Sequence, residues 1–197
     1  MFKIKNITFV IVFIFIILTV TGCQLKNESK EDVYLAFQKK VTNMTSYICK
    51  AEVTAINNKS QSNYIINHTY KKPSYYKLEI ISPENLKGKT IEYYKDKIII
   101  KNKKIDDSIE LPNVKNERQY LFIGDFVQNY MQDENINKNL SDDQLILEAK
   151  IQEESIYFSK QILYVDKKTK NPVKMEILDK EGEHKFIVKY SNFEIKD

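Results

Sequence analysis

The chain has 197 residues, 42% of them hydrophobic, with 31 basic and 27 acidic side chains and a formal charge of +4. That length fits one domain plus a targeting segment, and the hydrophobic fraction excludes a disordered tail. Its four glycines are scattered, the closest pair (Gly88 and Gly124) 36 residues apart, and Arg118 is the sole arginine, which excludes phosphate-cradling glycine loops and predicts no nucleic-acid partner.

The N-terminus carries Lys3 and Lys5, then an apolar run from Ile7 to Val20 with 12 apolar residues in 14, then Thr21-Gly22-Cys23. A positive start, a short apolar stretch and small residues before a cysteine form a secretory signal rather than a packed element. A spanning helix needs about 20 apolar residues, and the polar stretch from Gln24 to Asp32 closes this run too early. Val20-Thr21-Gly22-Cys23 resembles a bacterial lipobox, which implies that Cys23 is diacylated and becomes the mature first residue. The expected organisation is a signal peptide over 1–22, a lipidated N-terminus and linker over 23–30, and one domain over 31–197. The alternatives are an uncleaved signal anchor and a disulfide between Cys23 and Cys49, the only two cysteines. Two acyl chains suffice for durable anchoring, because each buried CH₂ contributes about 0.8 kcal/mol. The expected location is the extracytoplasmic face of a bacterial membrane.

Ser29 followed by Asp32 reads as an N-cap with an acidic residue three positions later, and Val33, Phe37, Val41 and Met44 follow at helical spacing. This predicts an amphipathic helix over 31–44. From Tyr47 the period changes to two. Tyr47, Cys49, Ala51 and Val53 alternate with polar residues, a turn follows at Asn57 to Ser60, and Tyr64, Ile66, His68 and Tyr70 alternate again. Further strands are expected over 75–81, 89–94, 98–102, 145–151, 155–165, 173–178 and 184–194. Nine strands joined as hairpins give an antiparallel-rich α+β domain. A second helix is expected over 118–132, where Leu121, Phe122, Phe126, Tyr130 and Met131 form one stripe. It packs as ordinary core, plugs an open barrel or lids a cavity. The stretch 133–143 reads as a polar loop.

Candidate chemistry is sparse. His68 and His184 have no cysteine or histidine at metal-ligand spacing, so neither metal nor cofactor is expected. Cys49 on an alternating segment reads as a small buried hydrophobe. The serines lack a nucleophile elbow, and the acidic pairs 106–107, 142–143 and 153–154 read as solvated turns. No enzymatic activity is expected. The aromatics cluster in mid-chain, and the pairs Tyr75-Tyr76 and Tyr93-Tyr94 place one ring on each face of a strand. They serve as core and interface or as the lining of a cavity.

The last third reads Val165-Asp166, Thr169, Pro172-Val173, Asp179 and Gly182, and then Tyr190, Asn192 and Phe193. With the stretch from Tyr70 through Pro73 to Ile80, it resembles the LolA/LolB-like lipoprotein superfamily. The resemblance implies an antiparallel half-open β-barrel with an N-terminal helix and an inserted helix packing on the concave face, which in the sorting proteins holds acyl chains. The soluble carriers of that superfamily carry no lipid, whereas this chain has Cys23. A lipidated member of this Lys-, Ile- and Asn-rich composition is most similar to the clostridial spore-germination lipoproteins of the GerS family. That implies a non-enzymatic partner of the cortex amidase CwlD in muramic-δ-lactam formation, with partner-binding residues unknown and strand exchange between copies as a route to a homodimer. The competing readings are a carrier or sensor of an apolar ligand and an envelope enzyme.

Overall fold

A computed structural model describes residues 28–57, 60–112, 120–131, 136–151 and 157–196. Residues 1–27, with the expected signal peptide and Cys23, lie outside them, so the expectations placed on those residues have no structural counterpart. No helix among the described residues is long and apolar enough to cross a membrane.

Helix α1 (Lys30–Asn43) starts where the sequence places it. Ser29 Oγ accepts from the Asp32 N–H at 3.2 Å, and the Asp32 carboxylate accepts from the Ser29 N–H at 3.1 Å, so two N–H groups of the first turn are satisfied reciprocally. Val33, Phe37 and Val41 are buried on one face of α1, with Met44 just beyond its end.

Eleven antiparallel strands follow in one sheet: β1 (Ser46–Ile56), β2 (Gln61–Lys71), β3 (Tyr75–Ser82), β4 (Lys89–Tyr93), β5 (Lys97–Asn102), β6 (Asp107–Pro112), β7 (Asn137–Leu140), β8 (Gln144–Lys150), β9 (Lys160–Asp166), β10 (Pro172–Leu178) and β11 (His184–Lys196). Their spatial order is β6-β5-β4-β3-β2-β1-β11-β10-β9-β8-β7. The chain thus meanders outward from the centre to β6, crosses to the opposite edge at β7, and meanders back. The crossing segment carries helix α2 (Ile123–Tyr130). Because β6 and β7 do not pair with each other, the curved sheet is a half-open barrel.

Alternation decides the inner face. Tyr47, Cys49, Ala51 and Val53 of β1, His68 and Tyr70 of β2, Leu145 and Leu147 of β8, and Leu163 and Val165 of β9 are all buried. Turns form where short polar side chains can hold them. Asp166 Oδ1 accepts from Thr169 N–H and Oγ1 at 2.6 and 2.7 Å, and Gly182 turns the β10–β11 hairpin at φ +85°.

Several expectations need correction. Among the described residues there are eleven strands rather than about nine. β6 escapes the sequence pattern because its alternation buries nothing: all six residues are exposed. The 133–143 stretch is not all loop, since Asn137–Leu140 pairs with β8 as a short edge strand. β9 begins at Lys160 rather than 155, because Ser159 donates its N–H to Leu178 O and accepts from Ile151 N–H ahead of the regular ladder. Among the described residues, the second helix occupies only Ile123–Tyr130 of the expected span.

Candidate functional site

The open side of the barrel is closed in part by the segment from Tyr120 to Met131, and its fastening is mostly polar. Phe122 occupies the N-cap of α2 and supplies no capping side chain. The buried Tyr47 hydroxyl of β1 takes that role, accepting from the Ile123 N–H at 3.1 Å. Tyr190 donates to Leu121 O at 3.1 Å, and Gln161 Nε2 donates to Tyr120 O at 2.8 Å. At the other end, Gln128 Nε2 donates to the Tyr70 hydroxyl at 2.8 Å, and Gln38 of α1 donates to Met131 O at 2.9 Å. Strands from both halves of the sheet thereby hold one crossing segment.

The apolar contact beneath is close. Gly124 lies directly over the Tyr70 ring, where an added Cβ would meet ring carbons at 2.6 to 2.8 Å. Phe122 stacks on His68 with centroids 4.1 Å apart and planes 4° from parallel, and its centroid lies 4.8 Å from that of Tyr76. His68 is fully buried, neither ring nitrogen has a hydrogen-bond partner, and burial lowers its pKa from 6.5 to about 3. It is a neutral packing surface. Burial likewise pushes the Cys49 thiol well above its ordinary range, so it is not poised as a thiolate.

Between the plug and β1–β4 an apolar hollow of about 190 Å³ remains, lined by Val53, Tyr64, Ile66, Leu78, Ile80 and Phe186 among others. A neighbouring hollow of about 180 Å³ shares Leu78, Leu121 and Phe186 with it and adds Tyr93, Tyr120 and Phe158. Each is smaller than the roughly 300 Å³ at which small-molecule sites begin. A more open cleft of about 520 Å³ lies between α1, the β9–β10 turn and the end of β11. Lys40 reaches across that cleft to Thr169 O at 2.8 Å and Asn171 Oδ1 at 2.6 Å.

The mid-chain aromatics divide as their alternation requires. Tyr76 and Tyr93 face each other across β3 and β4 on the inner side, whereas Tyr75 and Tyr94 contact each other outside at 5.2 Å. Outside, Tyr94 donates to Glu92 at 2.8 Å, and that carboxylate raises the Tyr94 pKa to about 12. Both sequence readings of the aromatics therefore hold in part: Tyr70, Tyr76, Phe122, Phe126 and Tyr130 are core, and Tyr64 and Tyr93 line the hollows. His68 and His184 are not brought together with other ligands. No group of three or more His, Cys, Asp or Glu among the described residues is placed to hold a metal ion. The fastening by Tyr47, Tyr190 and Gln161 leaves no pattern in the sequence. The helical stripe in 118–132 signals that something must be covered, but not which side chains hold it.

Residues 3–197 match the family described as Sporulation protein YdcC-like. The chain belongs to this family. It is 53% identical to the GerS lipoprotein in the solved complex with the CwlD amidase from Clostridioides difficile, over 87% of this chain and 98% of that one, with a TM-score of 0.56. An uncharacterized conserved protein from Thermus thermophilus shares the fold at 12% identity and a TM-score of 0.50, over 86% of this chain and 89% of that one. A LolA superfamily protein from Nitrosomonas europaea is 13% identical over 86% of this chain and 94% of that one, with a TM-score of 0.44. Comparison with curated protein sequences found no match.

Proposed function

We propose that this YdcC-like protein is a membrane-anchored, non-enzymatic lipoprotein of the sporulating cell that binds the cortex amidase CwlD and supports muramic-δ-lactam formation for germination. The observation that carries the reading is the 53% identity, over 98% of its length, to a GerS lipoprotein solved in complex with that amidase. The sporulation family agrees with it. The lipobox-like Val20-Thr21-Gly22-Cys23 supports anchoring through an acylated Cys23, at the extracytoplasmic face. A binding role also fits the chemistry of the domain: its buried thiol and buried imidazole are neutral and inaccessible, and α2 occupies the concave face where a carrier would seat a ligand.

The test is light scattering after size-exclusion chromatography of the full chain in mild detergent, alone and with the host amidase, followed by an amidase assay. Co-elution with altered amidase activity is the expected result. Separate peaks with unchanged activity would refute the reading and return attention to an apolar cargo. A molecular mass twice that of one chain, for the protein alone, would add strand exchange between copies. Anchoring has its own measurement: the mass of the mature N-terminal peptide should include a diacylglyceryl group on Cys23.

A further inference from the structure

The inner face of the sheet does not end where the core ends. Two rows of side chains run across neighbouring strands from the interior to the β6 edge. One is Leu78–Ile91–Ile100–Ile109 and the other Tyr76–Tyr93–Ile98–Leu111. Leu78 and Tyr76 are 9% and 6% exposed, whereas Ile109 and Leu111 are 56% and 43% exposed. A core surface is thus carried out into water by the last hairpin, and among the described residues no strand pairs with the outer side of β6. Natural sheets ordinarily blunt such an edge with charged side chains, lysine above all, with proline or with a covering element. Here Pro112 stands only at its end, and residues 106–112 contain no lysine at all. Asp106, Asp107 and Glu110 give this short stretch three carboxylates in a chain whose net charge is +4, and Lys97 of β5 bridges Glu110 at 3.1 Å.

We propose that β6 is the docking edge for the amidase, which adds an extended segment beside it as a twelfth strand; this rests on the amidase-binding reading above. Strand addition supplies backbone hydrogen bonds for affinity, and alternate side chains set the specificity. The segment that fits is apolar at every second position, to continue the two rows past Ile109 and Leu111. It carries lysine or arginine where it meets Asp106 and Asp107. Pairing of β6 with a second copy of itself is disfavoured by register. An antiparallel two-fold centred on Glu110 sets two glutamates face to face, and one centred on Ile109 sets Asp107 against Leu111. The complementary charge therefore comes from a different chain.

Amide hydrogen exchange of the full chain in detergent, alone and with the amidase, tests this directly. Protection of the 107–112 amides only in the complex is expected. The double substitution Ile109→Lys with Leu111→Lys should weaken binding by at least about tenfold. Leu35→Lys, at an exposed apolar position on α1, should leave binding unchanged. If the unmodified chain binds, β6 stays unprotected and the double variant binds equally well, the docking edge is refuted while the amidase-binding role stands. If the unmodified chain does not bind, both fall. Protection of β6 in the chain alone, rising with its concentration, would assign the edge to a second copy and overturn the proposal.

Discussion

The two halves of the sheet are built on one alternating plan and finished differently. In β8 to β10 the inward row is covered by α1, α2 or the facing strands, and Leu145, Leu147, Leu163, Val165, Met175 and Ile177 are all buried. In β4 to β6 the same kind of row loses its cover strand by strand until Ile109 and Leu111 face water. The first half therefore sets stability, and the second presents surface at little cost to it. Substitutions should separate the two functions cleanly.

The largest effect should come from breaking the plug where Phe122 seats on β2 and β3, the inner part of the meander that opens toward β6. Phe122→Ala removes a ring that is 1% exposed and stacked on His68, so stability should fall by about 3–5 kcal/mol in denaturant unfolding. The same stack, on β2, makes the seat of the plug acid-sensitive. The folded-state pKa of His68, about 3, lies below the ordinary 6.5, so its contribution is complete above pH 6.5 and is lost as pH falls toward 3. Its nearest titratable neighbours, Tyr47, Cys49 and Tyr190, stay neutral throughout that window. Between about pH 7 and about pH 5 stability should drop by about 2 kcal/mol, and His68→Leu should flatten that slope.

Two subtler changes sharpen the picture. Gly124→Ala forces the Tyr70 ring aside and should cost about 1–3 kcal/mol despite alanine's better helix propensity, read as a lower Tm. Tyr47→Phe keeps the packing but leaves the Ile123 N–H without its acceptor, for a loss of about 1–2 kcal/mol by the same measurement. On the open side, Ile109→Lys should change stability by no more than about 0.5 kcal/mol, because its side chain is 56% exposed.

This division also explains what could be read from the sequence. Strands such as β1, β2 and β8 were legible because water on one face and core on the other write a period of two into the chain. β6 and β7 were not. The former buries no residue, and the latter is four residues of Asn-Lys-Asn-Leu at an edge, so neither needs a patterned sequence. The helical stripe of α2 was visible, but its true extent and its fastening depend on Tyr47, Gln161 and Tyr190, brought together from strands far apart in sequence. Cys23 was legible as a motif alone. The docking edge left a composition signal, three carboxylates without a lysine, which gains meaning only once the strand is known to lie at the rim.

The seam between β1 and β11 has a consequence for timing. Ser46 pairs with Lys196, 150 positions later, at the centre of the sheet, so each meander lacks its central neighbour until β11 has been made. Bringing such distant segments together is entropically slow. A polypeptide threaded through a membrane from its N-terminus would therefore have no finished sheet to obstruct its passage. Its centre can close only after the last strand has emerged on the far side, which makes late folding a property of the topology itself.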